Sequence, residues 1–253
     1  MIKRIKKKIY NKFFKEFHVN NKQSVDINYS DISNEEREIL NMVTPYTLTS
    51  KERIVSLIRA VKYIEKNKIE GSIVECGVWK GGSIMAVLKA LLNLKNCDRH
   101  VYLYDTYEGM SEPTEVDKSV RGESATTAYQ KKDETWNRIA CFSALDEVKA
   151  NIQSVKYPQD KIHFIKGKVE NTIPMVAVPD KIAILRLDTD WYESTLHELN
   201  YLYPKLVSGG VIIIDDYGHW EGCRKAVEEY IDNNNIKLFL NRIDYTCRMG
   251  VKN

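Results

Sequence analysis

Four aspartates in the second half of this 253-residue chain stand directly after two short apolar segments: Asp188, Asp190, Asp215 and Asp216. The segments, residues 182–187 and 211–214, are rich in β-branched residues, which is typical of buried parallel strands. Residues 193–206 between them have the spacing of a helix. The carboxyl ends of such strands line the ligand crevice of a doubly wound sheet, so we expect the four carboxylates to meet there.

Carboxylates that converge at one place repel one another unless a cation or a bound proton neutralises them. Asp188 and Asp190 are two residues apart and can point the same way while the strand continues. The adjacent Asp215 and Asp216 can reach one ion only where their strand ends. Because these aspartates supply only oxygen ligands, we expect the site to bind a hard divalent cation such as Mg²⁺. The alternative for each pair is a solvated turn after a buried strand.

The elements that must position these acids alternate between strand and helix. Strands are predicted at 72–76, 100–104, 162–165, 182–187 and 211–214, helices at 51–67, 83–94, 145–155, 193–206 and 223–233, and a closing antiparallel pair at 237–241 and 246–251. This alternation predicts right-handed βαβ units and an α/β, Rossmann-like fold with a seven-stranded, mostly parallel sheet. The irregular segment from 107 to about 136 has the length of a lid or a binding loop.

A glycine-rich turn follows the first predicted strand, in the order Glu75-Cys-Gly77-Val-Trp-Lys-Gly-Gly82-Ser83. Its glycines let the backbone approach a ligand, and the following helix offers free N–H groups at its N-terminus. The turn is not the dinucleotide motif GxGxxG. A carboxylate at Glu75 would repel a pyrophosphate, whereas it suits an ammonium group.

A second acid, Asp105, closes the second predicted strand and is placed to accept hydrogen bonds from ribose hydroxyls. One acid for an amino group and another for a ribose, without a phosphate cradle, point to S-adenosylmethionine. The alternative is an ordinary strand-to-helix connection in which Asp105 caps a turn or a helix.

Composition excludes several classes of protein. The 38 basic and 35 acidic residues give a net charge of +3, which is too small to argue for a nucleic-acid partner. Five scattered cysteines without a CxxC pair indicate neither a disulfide framework nor a zinc site, and they fit a reducing cytoplasm. Because the sequence has neither a membrane-spanning apolar run nor a signal peptide, we expect a cytoplasmic protein.

The first 17 residues predict a basic amphipathic helix, with apolar side chains at three- and four-residue steps against a lysine-rich face: Ile2, Ile5, Ile9, Phe13 and Phe17. A polar linker is expected at 18–34. We expect this helix to dock on its own domain or on a sister subunit, and the protein to be a homo-oligomer. The alternative is a weak contact with an anionic membrane surface.

Together these segments resemble the macrocin O-methyltransferase family, sugar-modifying members of the class I S-adenosylmethionine-dependent methyltransferases. The resemblance covers about residues 44–250, through YTLTSKER, GSIVECGVWKGGS, YDTYEGMSEPT, IKGKVENTIP, LRLDTDWYEST, LYPKL, GGVIIIDDYG and GCRKAVEEY. Residues 1–43 lie outside it. We therefore expect a basic helix and linker over 1–43 and a methyltransferase domain over 44–253.

The resemblance implies Mg²⁺-dependent transfer of a methyl group to a sugar hydroxyl. It implies that Asp188, Asp215 and Asp216 are the metal ligands and that Asp190 is the general base. The residues that fall in its cofactor-holding segments are Glu75, Gly77, Gly82, Ser83, Asp105 and Gly167. Family members that methylate antibiotic sugars come from GC-rich genomes, whereas the Lys, Asn and Ile that crowd this chain have AT-rich codons. A nucleotide-linked sugar, or a precursor of a surface polysaccharide, is therefore the expected acceptor.

Other residues near the acids have two interpretations each. His219 can touch substrate or act as a base, or it can be a surface residue of a loop; His197 is expected to be exposed. The aromatic side chains beside the acids can stack on a sugar or on adenine, or they can pack in the core: Trp191, Tyr192, Tyr217 and Trp220.

Three other functions stay open at this point. Asp188-Thr-Asp190 can be the DxD motif of a nucleotide-sugar glycosyltransferase, although this leaves Glu75 and the glycine turn without a role. A catechol-type O-methyltransferase, or an enzyme acting on a secondary-metabolite sugar, would share the fold and the metal. A membrane-surface scaffold would use the basic N-terminal helix.

Overall fold

A computed structural model of the chain describes residues 29–132, 136 and 140–253. The chain divides into two compact units, Met1–Asn34 and Glu35–Asn253, and the second carries the features described below. The helix predicted at 1–17 lies outside the described residues, and the domain boundary after residue 43 stays a prediction.

The sheet contains seven strands: β1 Ser72–Cys76, β2 Val101–Asp105, β3 Ile162–Lys166, β4 Ile182–Leu187, β5 Leu206–Ile214, β6 Asn241–Arg242 and β7 Arg248–Val251. Their order is β3-β2-β1-β4-β5-β7-β6. The first five strands pair in parallel, whereas β7 pairs antiparallel with both β5 and β6. The predicted α/β, Rossmann-like fold, with five parallel strands and a closing antiparallel pair, is confirmed.

Eight α-helices occur in the described residues: α1 Asn34–Val43, α2 Lys51–Lys66, α3 Gly82–Asn93, α4 Ala125–Lys131, α5 Leu145–Gln153, α6 Val169–Thr172, α7 Tyr192–Leu202 and α8 Glu221–Asn233. In α3, nine of the twelve residues are buried. In α2 the buried side chains follow helical spacing along one face, so this helix is amphipathic as predicted. Within the described residues no helix is both long and apolar enough to cross a membrane.

Several predicted boundaries were wrong for identifiable reasons. The helix after the fourth strand ends at Leu202 and tightens into a 3₁₀ turn, Tyr203–Lys205, because Pro204 lacks an N–H donor. Strand β5 begins at Leu206 rather than at 211, since Gly209 and Gly210 exchange backbone hydrogen bonds with Lys252. The strand predicted at 237–241 is reduced to Asn241–Arg242.

The segment predicted as one long irregular loop contains helix α4, which Ser124 caps by accepting a hydrogen bond from the Thr127 N–H at 3.2 Å. The loop before α4 is fixed by Asp117, which is fully buried. Asp117 Oδ2 accepts hydrogen bonds from Thr114, and Oδ1 accepts one from the Tyr192 N–H at 2.8 Å. This loop is therefore anchored to the start of α7.

Candidate active site

Three neighbouring strand ends bring the predicted metal ligands together. The Asp188 N–H donates to the Cys76 carbonyl at 2.8 Å, and the Asp215 N–H donates to the Leu187 carbonyl at 2.9 Å, so the ends of β1, β4 and β5 are joined. Carboxylate oxygens of Asp188, Asp215 and Asp216 lie within 4.8 Å of one another. The expected convergence of these three acids at one edge of the sheet is thus observed.

A buried arginine that sequence reasoning missed lies at the centre of this cluster. Arg186, in β4, donates to Glu75, Asp188 and Asp215 at 2.7, 2.7 and 2.6 Å. Burial acts to lower the pKa of Arg186, but the three carboxylates outweigh it, so the pKa lies well above its ordinary value. A charged residue inside an otherwise apolar strand must be paired, and that was the available signal in the sequence.

A second arginine reaches the cluster from outside the sheet. Arg53, in α2, pairs through Nη1 with Asp215 Oδ2 and through Nε with Asp244 at 2.9 Å. Asp215 is buried, and its two carboxylate oxygens therefore contact two different guanidinium groups. Nothing in the sequence signals this pairing, because its partners lie 162 residues apart along the chain.

The site fits a divalent cation by charge and by donor chemistry. Five carboxyl groups meet here, those of Glu75, Asp188, Asp190, Asp215 and Asp216, and the guanidinium groups of Arg53 and Arg186 contact three of them: Glu75, Asp188 and Asp215. Asp216 Oδ2 is buried and has no hydrogen-bond partner among the described residues. Burial raises the pKa of Asp188 to about 6 and that of Asp216 well above its usual range, so without a cation the cluster retains protons. Oxygen donors of this kind suit Mg²⁺.

Asp190 lies beside these ligands in a left-handed backbone conformation, with φ at 65°. The side chains of Asp216 and Trp220 act on its carboxyl group. Burial, with the charge of Asp188, raises the pKa of Asp190 to about 7. A carboxyl group with a pKa near neutrality is suited to general-base work.

Glu75, predicted to hold an ammonium group, is 2 % exposed at the end of β1. Its Oε1 accepts from Arg186, whereas Oε2 is buried without a hydrogen-bond partner among the described residues. Burial raises the pKa of Glu75 to about 8, and the Arg186 guanidinium opposes that shift. Glu75 Oε2 can therefore accept a hydrogen bond from one more donor.

The two glycines predicted to admit a ligand face the protein's own backbone. A Cβ on Gly77, whose φ is +83°, would lie 1.9 Å from the Asp188 carbonyl oxygen. A Cβ on Gly82 would lie 2.5 Å from the Tyr46 carbonyl oxygen. These glycines therefore permit close packing of the turn after β1 against the end of β4 and against the segment before α2. Ser83, which follows Gly82, is buried at the start of α3.

Asp105 holds the turn after β1 from the end of β2. Its Oδ2 accepts from the Val78 and Trp79 N–H groups at 2.6 and 3.1 Å, and its Oδ1 accepts from the Tyr107 N–H at 2.6 Å. The Gly167 N–H donates to the Asp105 carbonyl at 2.9 Å. The capping interpretation of Asp105 is therefore correct in this structure, and a ribose contact would add to these bonds.

The His219 ring contacts the Tyr245 hydroxyl, and its backbone N–H donates to the Asp216 carbonyl at 2.9 Å. Its Nδ1 lies 2.9 Å from the Tyr245 hydroxyl, and the charged groups that act on it are Arg121 and Glu123. Burial lowers the pKa of His219. His197 was expected to be exposed, which is wrong: it is half-buried, with Nε2 2.7 Å from the Ile173 carbonyl.

The aromatic residues beside the acids are mostly engaged with the protein itself. Trp191 is 1 % exposed, donates through Nε1 to the Ser111 carbonyl at 3.0 Å and packs edge-on against Trp220 at 4.9 Å between ring centroids. Tyr192 and Tyr217 donate their hydroxyls to Glu229 and Glu228. Core packing is therefore the correct interpretation for Trp191 and Trp220.

A polar cavity of about 260 Å³ opens next to Trp191, between the anchored loop, α6 and the start of α7. Its lining includes hydroxyl, amide and charged side chains: Ser111, Thr114, Lys168, Glu170, Asn171 and Glu193. A cavity with this lining suits a ligand rich in hydroxyl groups.

A family model described as macrocin-O-methyltransferase (TylF) matches residues 3–250 of the chain. The chain belongs to this family. The match corrects the expectation that the first 43 residues lie outside the resemblance. The family assignment favours O-methyl transfer over the glycosyltransferase and scaffold alternatives.

Curated relatives in the macrocin O-methyltransferase family agree with this assignment. The chain is 30% identical over 186 residues to demethyldecarbamoylnovobiocin O-methyltransferase of Streptomyces niveus, covering 73% of this chain and 67% of the relative. It is 30% identical over 206 residues to mycinamicin III 3''-O-methyltransferase of Micromonospora griseorubida, covering 81% and 77%. It is 31% identical over 201 residues to a tetracenomycin-C 4'-O-methyltransferase of Streptomyces olivaceus that acts on a dimethoxy-rhamnosyl compound, covering 79% and 73%.

Solved structures support the fold of this macrocin-family enzyme. The O-methyltransferase NovP superimposes with a TM-score of 0.71 at 28% identity, covering 82% of both chains. The calicheamicin methyltransferase CalS11 superimposes with a TM-score of 0.55 at 15% identity, covering 92% of this chain and 98% of that one, which supports the fold alone.

Proposed function

We propose that the protein transfers a methyl group from S-adenosylmethionine to a sugar hydroxyl in a Mg²⁺-dependent reaction. The observation that carries the proposal is the carboxylate cluster of Asp188, Asp215 and Asp216, with its unpartnered Asp216 oxygen, next to a fourth acid, Asp190. The family assignment supplies the methyl transfer. The cluster is the reason for proposing a metal ion, because converging carboxylates repel one another unless a cation neutralises them.

Asp188, Asp215 and Asp216 would hold the ion. When bound, Mg²⁺ supplies Lewis-acid stabilisation of negative charge on the acceptor oxygen. Arg53 and Arg186 each contact one of the two Asp215 oxygens. An Asp215 oxygen that binds the metal would therefore also contact a guanidinium group. Asp216 is the ligand with a free buried oxygen, and Asp188 keeps one oxygen clear of Arg186.

Asp190 would act as the general base. In the proposed step the acceptor oxygen gives its proton to the Asp190 carboxylate, forms a bond to the methyl carbon, and the carbon–sulfur bond breaks to leave neutral S-adenosylhomocysteine. The pKa of about 7 keeps a fraction of Asp190 ionised and able to accept a proton near neutral pH. His219, the alternative base, has its Nδ1 at 2.9 Å from the Tyr245 hydroxyl instead.

The cofactor would lie over the ends of β1 and β2. The free Glu75 oxygen suits the methionine ammonium group, and Asp105 is near enough to the turn to contact ribose as well as the Val78 and Trp79 amides. Ser83, at the start of α3, and Gly167, whose N–H donates to the Asp105 carbonyl, would border the same crevice. Two of the solved O-methyltransferase structures that share this fold contain S-adenosylhomocysteine, which supports the same cofactor class here.

The acceptor would enter the polar cavity beside Trp191. Its hydroxyl and amide lining suits a sugar, and the preference for a nucleotide-linked sugar or a surface-polysaccharide precursor still comes from the composition of the chain. The curated relatives act on sugars of secondary metabolites, so a screen should contain these compounds as well as nucleotide sugars and polysaccharide precursors.

Three measurements test the proposal. Calorimetry is expected to show that S-adenosylhomocysteine binds and that a nucleoside diphosphate alone does not. A mass-spectrometric screen of nucleotide sugars, glycosylated metabolites and catechols is expected to show a gain of one methyl group on a sugar.

Excess EDTA, or Asp216→Ala, is expected to abolish turnover while S-adenosylhomocysteine affinity stays largely unchanged. Full turnover in excess EDTA would overturn the metal assignment.

A further inference from the structure

Glu198 is a buried acid that the proposed reaction does not use. It lies in α7 with no exposed surface. Its Oε2 accepts a hydrogen bond from Thr189 Oγ1 at 3.2 Å, and its Oε1 has no partner among the described residues. A buried carboxyl group in a helix that also buries Leu199 and Leu202 costs more free energy than an apolar side chain would.

The surroundings of Glu198 favour its neutral form. Burial is the main cause that raises its pKa well above the usual range, and the charges of Glu170 and Asp188 add to the effect. The thiol of Cys76, at the end of β1, also interacts with it. Glu198 therefore contributes hydrogen bonding rather than a charge to its neighbours.

The hydrogen-bond partner of Glu198 lies between two residues of the site. Thr189 separates Asp188 from Asp190, and Asp190 adopts φ of 65°, a left-handed backbone conformation that is strained for a residue with a side chain. Such a conformation persists only where its surroundings hold it. The backbone supplies one restraint, from the Trp191 N–H to the Thr189 carbonyl at 2.7 Å.

We propose that Glu198 is a positioning residue: through Thr189 it holds the turn that presents Asp188 to the metal site and Asp190 to the acceptor. The bond runs from α7 back to the turn that precedes this helix, nine residues earlier in the chain. The inference rests on the proposed function for the roles of Asp188 and Asp190.

Paired variants separate the hydrogen bond from the bulk of the side chains. Thr189→Val removes the hydroxyl and keeps the shape, and Glu198→Met removes the acceptor. Each is expected to lower kcat by roughly 10- to 100-fold with KM for S-adenosylmethionine nearly unchanged, since misplacement by about 1 Å can cost a factor of this size. The double variant is expected to lose no more than either single one, because the two residues share one interaction.

Conservative variants and a matched control complete the design. Thr189→Ser keeps a hydroxyl and Glu198→Gln keeps a neutral acceptor, so both are expected to retain kcat within about threefold of the parent. Thr195→Val is the control, since Thr195 is buried in the same helix and its side chain interacts with Cys223 instead. A Thr189→Val enzyme with parental kcat, or a Glu198→Gln enzyme as impaired as Glu198→Met, would overturn the proposal.

Hydrogen exchange tests the positioning without relying on catalysis. In Thr189→Val and Glu198→Met, the amides of residues 188–192 are expected to exchange roughly tenfold faster than in the parent, while Thr195→Val leaves them unchanged. Unchanged exchange in both variants would contradict the proposal. If the parent transfers no methyl group but the exchange result is as expected, the proposed function fails and the positioning role stands.

Discussion

At the scale of single residues, the site separates acids that look equivalent in the sequence. Asp215 is held by two guanidinium groups, Asp216 keeps a free buried oxygen, and Asp190 is paired with Asp216 and Trp220. These differences of environment support the separate chemical roles proposed for the aspartates. Residue type and spacing predicted the cluster, but they could not distinguish its members.

Replacement of Asp190 by Asn tests its role as the base. Asp190→Asn keeps the size of the side chain and removes its ability to accept a proton at neutral pH. We expect kcat to fall by roughly 10²- to 10⁴-fold, with little change in cofactor affinity measured by calorimetry. His219→Asn is the matched control and is expected to keep most of the activity. Near-normal kcat in Asp190→Asn would place the base elsewhere.

At the scale of elements, the strands and most helices were predictable because β-branched runs and helical periodicity are local signals. The contact of Arg53 with Asp215 was not predictable, because the two residues meet only after the sheet has formed. Arg186 was within reach of sequence reasoning, since it interrupts a buried strand. The helix at 125–131 was missed because its short, polar sequence carries little apolar periodicity.

Gly77 is the position where the elements pack most closely. Gly77→Ala would place a Cβ against the Asp188 carbonyl, with backbone rather than a flexible side chain as the obstacle, and φ of +83° disfavours alanine. We expect a large loss of stability, on the order of 2 kcal/mol or more, and loss of cofactor binding. Chemical denaturation would measure the first and calorimetry the second. Gly122→Ala, also at positive φ but with open space around it, is the control for backbone strain alone.

At the scale of the whole molecule, the acid cluster links stability to pH and to metal. Burial raises the pKa of Asp188 to about 6 and of Asp190 to about 7, from 3.8. The stability that these groups contribute is therefore fully present below about pH 4 and is lost as the pH rises through 6 to 7. We expect the melting temperature of the metal-free protein to fall over this range, by roughly 2–4 °C for each kcal/mol lost.

Mg²⁺ is expected to restore the stability that is lost at higher pH, because it binds the ionised carboxylates and stabilises the folded state by mass action. The melting temperature should therefore rise with Mg²⁺ more at pH 8 than at pH 5. Scanning fluorimetry at several pH values, with Mg²⁺ or with EDTA, measures both effects. Asp216→Asn should reduce the response to Mg²⁺ at pH 8. An equal response at both pH values would contradict the linkage.

The contacts of Asp244 determine when the site can be completed during synthesis. Its carboxylate accepts from Ser50 Oγ at 2.7 Å and pairs with Arg53, joining positions 194 residues apart in the case of Ser50. Arg53 in turn contacts Asp215. On the ribosome, α2 emerges long before the turn between β6 and β7, so the Arg53 side chain is synthesised well before its Asp244 partner. A nascent chain stopped before residue 244 would contain every proposed metal ligand, yet it would lack the carboxylate that holds Arg53 against them.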